Sequence, residues 1–155
     1  MESTALDDKD RRILRLLQAE GRLSTAELAE RVHLSPTATA ARMKRLTETG
    51  FIKGFVAQLD AAKLERGMIV FVEVKLDRTT EDVFSDFAKA AKANADIMEC
   101  HMVAGGFDYL LKARVKDMAA YRAFLAQALL DLPGIRETHT YAVMEEIKNT
   151  AAIPI

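Results

Sequence analysis

The chain has 155 residues, half of them apolar and 29% charged, with a net charge of −1 and a single cysteine, Cys100. No apolar run approaches the about 18 residues of a membrane span, and the acidic start, residues 1–10, lacks the basic and apolar regions of a secretory leader. One cysteine excludes an intramolecular disulfide and a zinc site built on several cysteines, so a cytoplasmic protein of one domain or two small ones is expected.

The first predicted helix covers residues 8–20, with Asp7 as cap, an apolar stripe of Ile13, Leu14, Leu16 and Leu17, and Gly21 at its end. Ser24 followed three residues later by Glu27 is a capping box and opens a second helix, whose inner face is Leu28, Ala29 and Val32. His33-Leu34-Ser35 is then a tight connection into a third helix, residues 35–49. Ser35 caps that helix, Pro36 suits its first position, and Gly50 supplies the left-handed stop. The three-residue spacing of Ala40, Met43 and Leu46 predicts an inward face, leaving Thr37, Ala38, Ala41, Arg42 and Arg45 on the other side.

Two short helices joined by about three residues, after a supporting helix, make the helix-turn-helix pattern. A third helix with small residues near its start and arginines further along suits the DNA major groove; a small helical bundle with no DNA role is the alternative. The first sixty residues carry a net charge of only +1 and the remainder −2. Non-specific affinity grows with the number of phosphates neutralised, so these few cations imply an assembly of several chains.

Residues 51–59 are β-rich and predict a wing or connecting strand, and residues 60–67 (DAAKLERG) read as linker. Beyond it come a buried strand over 68–76, a helix over 80–94 and a strand over 97–104. Gly105-Gly106 then forms a turn into a strand over 107–115, followed by a helix over 117–132 and a last strand over 135–147. The order β-α-β-β-α-β predicts a ferredoxin-like sheet with both helices on one face. Tyr109, Leu111, Ala142, Val143 and Met144 are expected to place apolar groups on both sides of the sheet, which a second copy of the chain would cover. The final NTAAIPI reads as irregular. The expected organisation is therefore α+β. Residues 1–60 form a winged helix-turn-helix domain with its connecting strand, 61–67 a hinge, and 68–155 the ferredoxin-like domain.

The motifs along the chain carry a family resemblance. In the first half they are Leu6-Asp7-x-x-Asp10-Arg11-x-Ile13-Leu14, Gly21-Arg22-Leu23-Ser24, Leu34-Ser35-Pro36-Thr37, Arg42-x-x-Arg45-Leu46 and Gly50-Phe51-Ile52-x-Gly54. In the second they are Glu99-Cys100-His101-x-Val103-x-Gly105, Phe107-Asp108-Tyr109-Leu110-Leu111, Leu132-Pro133-Gly134 and Thr138-x-Thr140-Tyr141-x-Val143-Met144-Glu145-Glu146. In this order and at this spacing, roughly residues 6–148 resemble the leucine-responsive regulatory protein (Lrp/AsnC, feast/famine) family. The second half is most similar to its leucine-responsive branch or the branch governing proline catabolism. The resemblance implies a DNA-binding domain joined by a hinge strand to a domain that binds an amino-acid effector and oligomerises. It also implies homodimers pairing through the sheet and assembling to octamers. Family effectors bind near the Gly105–Asp108 turn, and Met102, Met118 and Tyr141 match positions associated with effector response. Where the family commonly has Gly-Asp before the aromatic residue, this chain has Gly105-Gly106, so an acceptor for an α-amino group is lost.

Individual residues carry competing readings. Ser35, Thr37, Ala38, Ala41, Arg42, Lys44 and Arg45 form the expected DNA-binding set. Thr and Ala suit a thymine methyl and Arg suits guanine or phosphate, with Arg45 reduced to a phosphate contact and Lys44 to a solvated charge on the plainer reading. Asp108 sits in an otherwise apolar strand and needs either a ligand amino group or a structural hydrogen bond. Thr138 and Thr140 share one side of the last strand and offer hydroxyls, or are simply β-formers. Cys100 and His101 point to opposite faces, and Cys100 is expected to be a buried structural thiol. The three histidines lack metal-ligand spacing.

The expectation is a sequence-specific DNA-binding transcription regulator responding to a small amino acid, with leucine or proline as effector and no other cofactor. Its partners are duplex DNA and further copies of itself, its place the cytoplasm at the nucleoid, with no membrane role. The rival is an architectural DNA-compacting protein whose C-terminal domain only oligomerises. No nucleophile, metal set or phosphate loop supports an enzyme.

Overall fold

The computed structural model describes residues 5–129 and 131–155, and divides the chain into two compact units. The first is Met1–Gln58 with Lys148–Ile155, and the second is Leu59–Ile147.

The first unit contains α1 (Asp8–Ala19), α2 (Thr25–Val32) and α3 (Pro36–Glu48). Each begins at the cap expected for it. Asp7 accepts from the Asp10 amide at 2.8 Å, Ser24 and Glu27 form a reciprocal box, and Ser35 accepts from the Ala38 amide at 3.2 Å. Between α2 and α3, His33 takes a left-handed conformation (φ 55°), a geometry that costs an L-residue about 1–2 kcal/mol and lets the chain reverse in three residues. Ile13, Leu17, Leu28, Val32, Leu46 and Ile52 form the core. Lys9 ties α1 to α2 by donating to the carbonyl of Val32 at 2.7 Å.

Two expectations for this unit need correction. Residues 51–59 do not form a strand; apart from Ile52, whose amide reaches the Leu46 carbonyl at 3.0 Å, they run without a ladder partner among the described residues. The inward face of α3 is Thr39, Met43 and Leu46, and Ala40 is exposed. Thr reads as polar and Ala as apolar, so a pattern of hydropathy alone rolls this helix the wrong way by one residue. The last residues return to this unit: Gln18 exchanges hydrogen bonds with both backbone groups of Ile153, at 2.6 and 3.0 Å.

The second unit runs β1 (Met68–Leu76), α4 (Glu81–Ala93), β2 (Ile97–Met102), β3 (Tyr109–Val115), α5 (Met118–Phe124) and β4 (Ile135–Ala142). The sheet is antiparallel with order β2-β3-β1-β4, the ferredoxin-like topology. Beyond Phe124 the helix widens into a π-helical turn, Leu125–Leu129, where a regular helix to residue 132 is expected; Leu129 and Leu132 still reach the core.

The alternation of β1 sends Val70, Val72, Val74 and Leu76 toward α4 and α5. Their neighbours Tyr109, Leu111 and Ala113 on β3 lie on the same side, and Tyr109 stacks on Phe87 of α4 with ring centroids 4.3 Å apart. Apolar groups do lie on both faces of the sheet, but not from the residues expected. Tyr109, Leu111 and Ala142 all belong to the helix-covered side. The open side mixes Ile69, Phe71, Leu110 and Tyr141 with Glu73, Lys112, Arg114 and the hydrogen-bonded pairs Glu99–His101 and Glu137–His139.

Candidate DNA-binding face and effector-binding region

The outward side of α3 carries Thr37, Ala40, Ala41 and Lys44, all exposed, with Ala38 and Arg45 at its flank. Ser35 spends its hydroxyl on the cap. Lys44 is loosely paired with Glu48 at 3.8 Å, an exposed contact worth a few tenths of a kcal/mol.

Arg42 and Arg45 are placed differently from the rest of the expected set. Both guanidinium groups turn back onto α1. Arg42 Nη1 donates to Asp7 Oδ2 at 2.6 Å and to Asp10 Oδ1 at 2.8 Å, and Arg45 Nη2 donates to Asp10 Oδ2. Burial pushes the carboxyl of Asp10 up, but the hydrogen bonds from Arg45, Arg42 and the Asp7 amide outweigh it and hold it at about 2. Asp7 and Asp10 correspondingly raise the Arg42 guanidinium. Asp10 is a residue that the reading of the sequence left in a motif without a task. The signal was available: Asp10, Ile13 and Leu17 form one stripe of α1, and a carboxylate on a core stripe requires a cation.

In the second unit the loop between β2 and β3 exposes Gly105 and Gly106, and a Cβ on either would meet nothing within 4 Å. Asp108 closes this loop. Its Oδ2 accepts from the Leu76 amide at 2.7 Å, its own amide donates to the Val74 carbonyl at 3.0 Å, and its carbonyl accepts from the Val103 amide at 3.0 Å. At least one carboxylate oxygen thus serves the end of β1.

The remaining residues of the expected effector set are spread out. Met102 lines a groove of about 470 Å³ between α4 and the edge strand β2, together with Phe84, Ala88, Cys100 and Tyr109. Cys100 is exposed there, correcting the expected buried thiol, because β2 is an edge strand that α4 only partly covers; partial burial still raises its pKa. Thr138 and Thr140 lie on the helix-covered side, and the Thr140 hydroxyl is engaged with that of Tyr121. Tyr141 lies on the open side at the opposite edge, where the Glu73 carboxylate beside it raises its phenol pKa. Met118, at the start of α5, is exposed. One chain does not bring Met102 and Tyr141 together.

Residues 69–153 match the Lrp/AsnC ligand binding domain, and residues 6–53 match a winged helix-turn-helix DNA-binding domain. The chain belongs to the Lrp/AsnC family. Among its Lrp/AsnC relatives are the leucine-responsive regulatory proteins of Klebsiella pneumoniae and Escherichia coli. Each is 49% identical over 150 residues, covering 97% of this chain and 92% of theirs. A transcriptional regulator of Neisseria meningitidis, solved as an L-Met complex, superposes with a TM-score of 0.90 at 35% identity over 97% of both chains. An AsnC family transcriptional regulator from Agrobacterium tumefaciens does so with a TM-score of 0.92 at 34% identity, over 96% of this chain and 97% of that one. The protein is accordingly an Lrp-like transcription regulator, with a helix-turn-helix DNA-binding domain followed by a ligand-binding domain. Among the described residues no helix is long and apolar enough to cross a membrane.

Proposed function

We propose that this regulator reads duplex DNA through the outward side of α3 and changes its DNA occupancy when an amino acid, leucine or proline first, binds its sheet domain. The observation carrying the DNA half is the capped helix α3, which exposes Thr37, Ala40, Ala41 and Lys44. Small side chains admit close approach of the helix backbone to the groove, Thr and Ala meet thymine methyls, and Lys44 and Arg45 meet phosphate. Ser35 and Ala38 bring the start of the helix to the backbone of the duplex. Arg42 acts from behind. Residues 61–67 form the hinge between a DNA-binding domain of residues 1–60 and an effector domain of residues 68–155.

The effector site is assembled from the turn Gly105–Asp108 with Met102, Met118, Thr138, Thr140 and Tyr141 contributed by more than one chain. Because Met102 and Tyr141 lie on opposite faces and opposite edges of one sheet, a second copy is required to complete the set. The protein is therefore a homodimer, with octamers as the larger assembly, working in the cytoplasm at the nucleoid and catalysing no reaction. Amino-acid binding favours one arrangement of the assembly and so shifts the population able to engage DNA. The methionine complex of the Neisseria relative supports an amino acid as the effector class.

The test is a thermal-shift screen of the twenty amino acids, leucine, proline and methionine first, followed by duplex-binding titrations with and without each hit. A ligand that binds only the folded protein raises its melting temperature by mass action. Expected is one small set of apolar amino acids that shifts both melting and DNA affinity. DNA binding indifferent to all twenty would replace this reading with the architectural one.

A further inference from the structure

Among the described residues, Asp10 and Thr39 are the buried polar or charged side chains of the molecule, and Asp10 has no solvent exposure at all. A buried carboxylate is tolerated only when paired and hydrogen-bonded, and here the pairing converges from one helix alone. Arg42 and Arg45 stand one turn apart on α3. Their guanidinium groups close on the two oxygens of Asp10, while the Asp7 amide adds a third donor at 3.1 Å. Asp7 then holds Arg42 a second time. Two arginines three residues apart, fixed to one point on α1, leave α3 little freedom to roll about its own axis. They also keep Arg42 away from any ligand on the outward side.

We propose that Asp10, assisted by Asp7, is a positioning residue for DNA reading: it sets the roll of α3 and withholds Arg42 from the groove. Base recognition then falls to Thr37, Ala40 and Ala41, with Lys44 on phosphate. The proposal rests on the reading of α3 as the groove-entering helix. It makes a claim opposite in sign to simple electrostatics. DNA is a polyanion, so deleting a negative charge from the DNA-binding unit raises affinity for every duplex if nothing else changes. Loss of positioning instead lowers affinity for the preferred sequence and spares sequence-independent binding.

The experiment uses the full chain and its Asp10→Asn and Asp7→Asn variants. Asn remains a good helix cap, so the second variant removes chiefly the charge that holds Arg42. Binding is measured, below every variant's melting temperature, to a duplex enriched by the wild-type protein from a randomised pool and to poly(dI-dC)·poly(dI-dC). Asp10→Asn is expected to bind the enriched duplex about tenfold more weakly, the scale of one lost base contact, and the copolymer equally or more tightly. Asp7→Asn is expected to move the same way by about threefold, a fraction of that contact. An Asp10→Asn protein that folds and binds both duplexes as tightly as wild type, or more tightly, overturns the assignment. If Asp10→Asn does not fold, the same comparison on Asp7→Asn decides. A wild-type protein that enriches no sequence overturns the reading of α3 itself, and the role of Asp10 with it.

Discussion

A Cβ placed on Gly134 would lie 2.9 Å from Cγ1 of Val83, so the turn into β4 passes α4 with no room for a side chain. Gly134 also has φ +73°, and its carbonyl accepts from the Asp77 amide at 2.8 Å. Gly134→Ala therefore combines a left-handed conformation costing about 1–2 kcal/mol with a steric clash. Chemical denaturation should show the sheet unit losing at least that much, and Val83→Ala in the same chain should recover the steric part. Equal stability of Gly134→Ala and wild type would show that the loop relaxes freely.

Thr39 faces the core of the helical unit, and its hydroxyl has no hydrogen-bond partner among the described residues. An unsatisfied buried polar atom costs about 1–3 kcal/mol, so Thr39→Val, similar in shape, should raise the melting temperature. Because the residue points inward, DNA affinity should not change. A stably folded Thr39→Val protein with weakened DNA binding would put Thr39 on the wrong side in the present assignment.

The low carboxyl pKa of Asp10 makes the helical unit acid-sensitive in a defined window. Above the ordinary carboxylate value of 3.8 the group is ionised in both folded and unfolded chains, and its contribution to stability is fully present. As pH falls from there through about 2, the unfolded chain takes up the proton first and the contribution is lost. Its size is about 2 kcal/mol. Urea unfolding followed from pH 5 to pH 2 should show this slope in the wild type and a shallower one in Asp10→Asn. Identical slopes would remove Asp10 from the acid response.

Asp108 has to be tested without breaking the sheet. Its carboxylate satisfies the amide of Leu76, a buried residue, so Asp108→Ala should cost about 1–3 kcal/mol whatever its part in ligand binding. Asp108→Asn keeps an acceptor and should hold most of that stability. A loss of amino-acid response in Asp108→Asn, read by calorimetric titration, is then attributable to the lost charge. An unchanged titration would take the Asp108 charge out of effector binding. Gly106→Asp is the converse experiment. The open space around Gly106 admits the side chain, and tighter binding of an amino acid is expected from the added acceptor.

Much of the fold was legible because its signals are local. Caps at Asp7, Ser24 and Ser35, the stop at Gly50 and the alternation through β1 each depend on residues within a turn or a pleat of one another. Residues 51–59 misled because their strand-forming composition says nothing about whether an unpaired edge is within reach. Cys100 misled because burial on a strand depends on what packs over that strand's edge.

The sequence by itself therefore determined the elements, their order and the family, since helix ends and strand periods are written over a few neighbouring residues. Only the tertiary structure decided which way α3 faces and what its arginines do. Thr39 and Ala40 compete for one inward position with nearly balanced preferences. The structure buries Thr39 and exposes Ala40, and on the same helix Arg42 and Arg45 meet a carboxylate 32 and 35 residues away. The side that Met102 shares with β4 has the same cause, whereas Thr140 and Tyr141 face opposite sides by simple strand alternation. Strand register is set by long-range pairing, and no local pattern fixes which residues of β2 and β4 share a side.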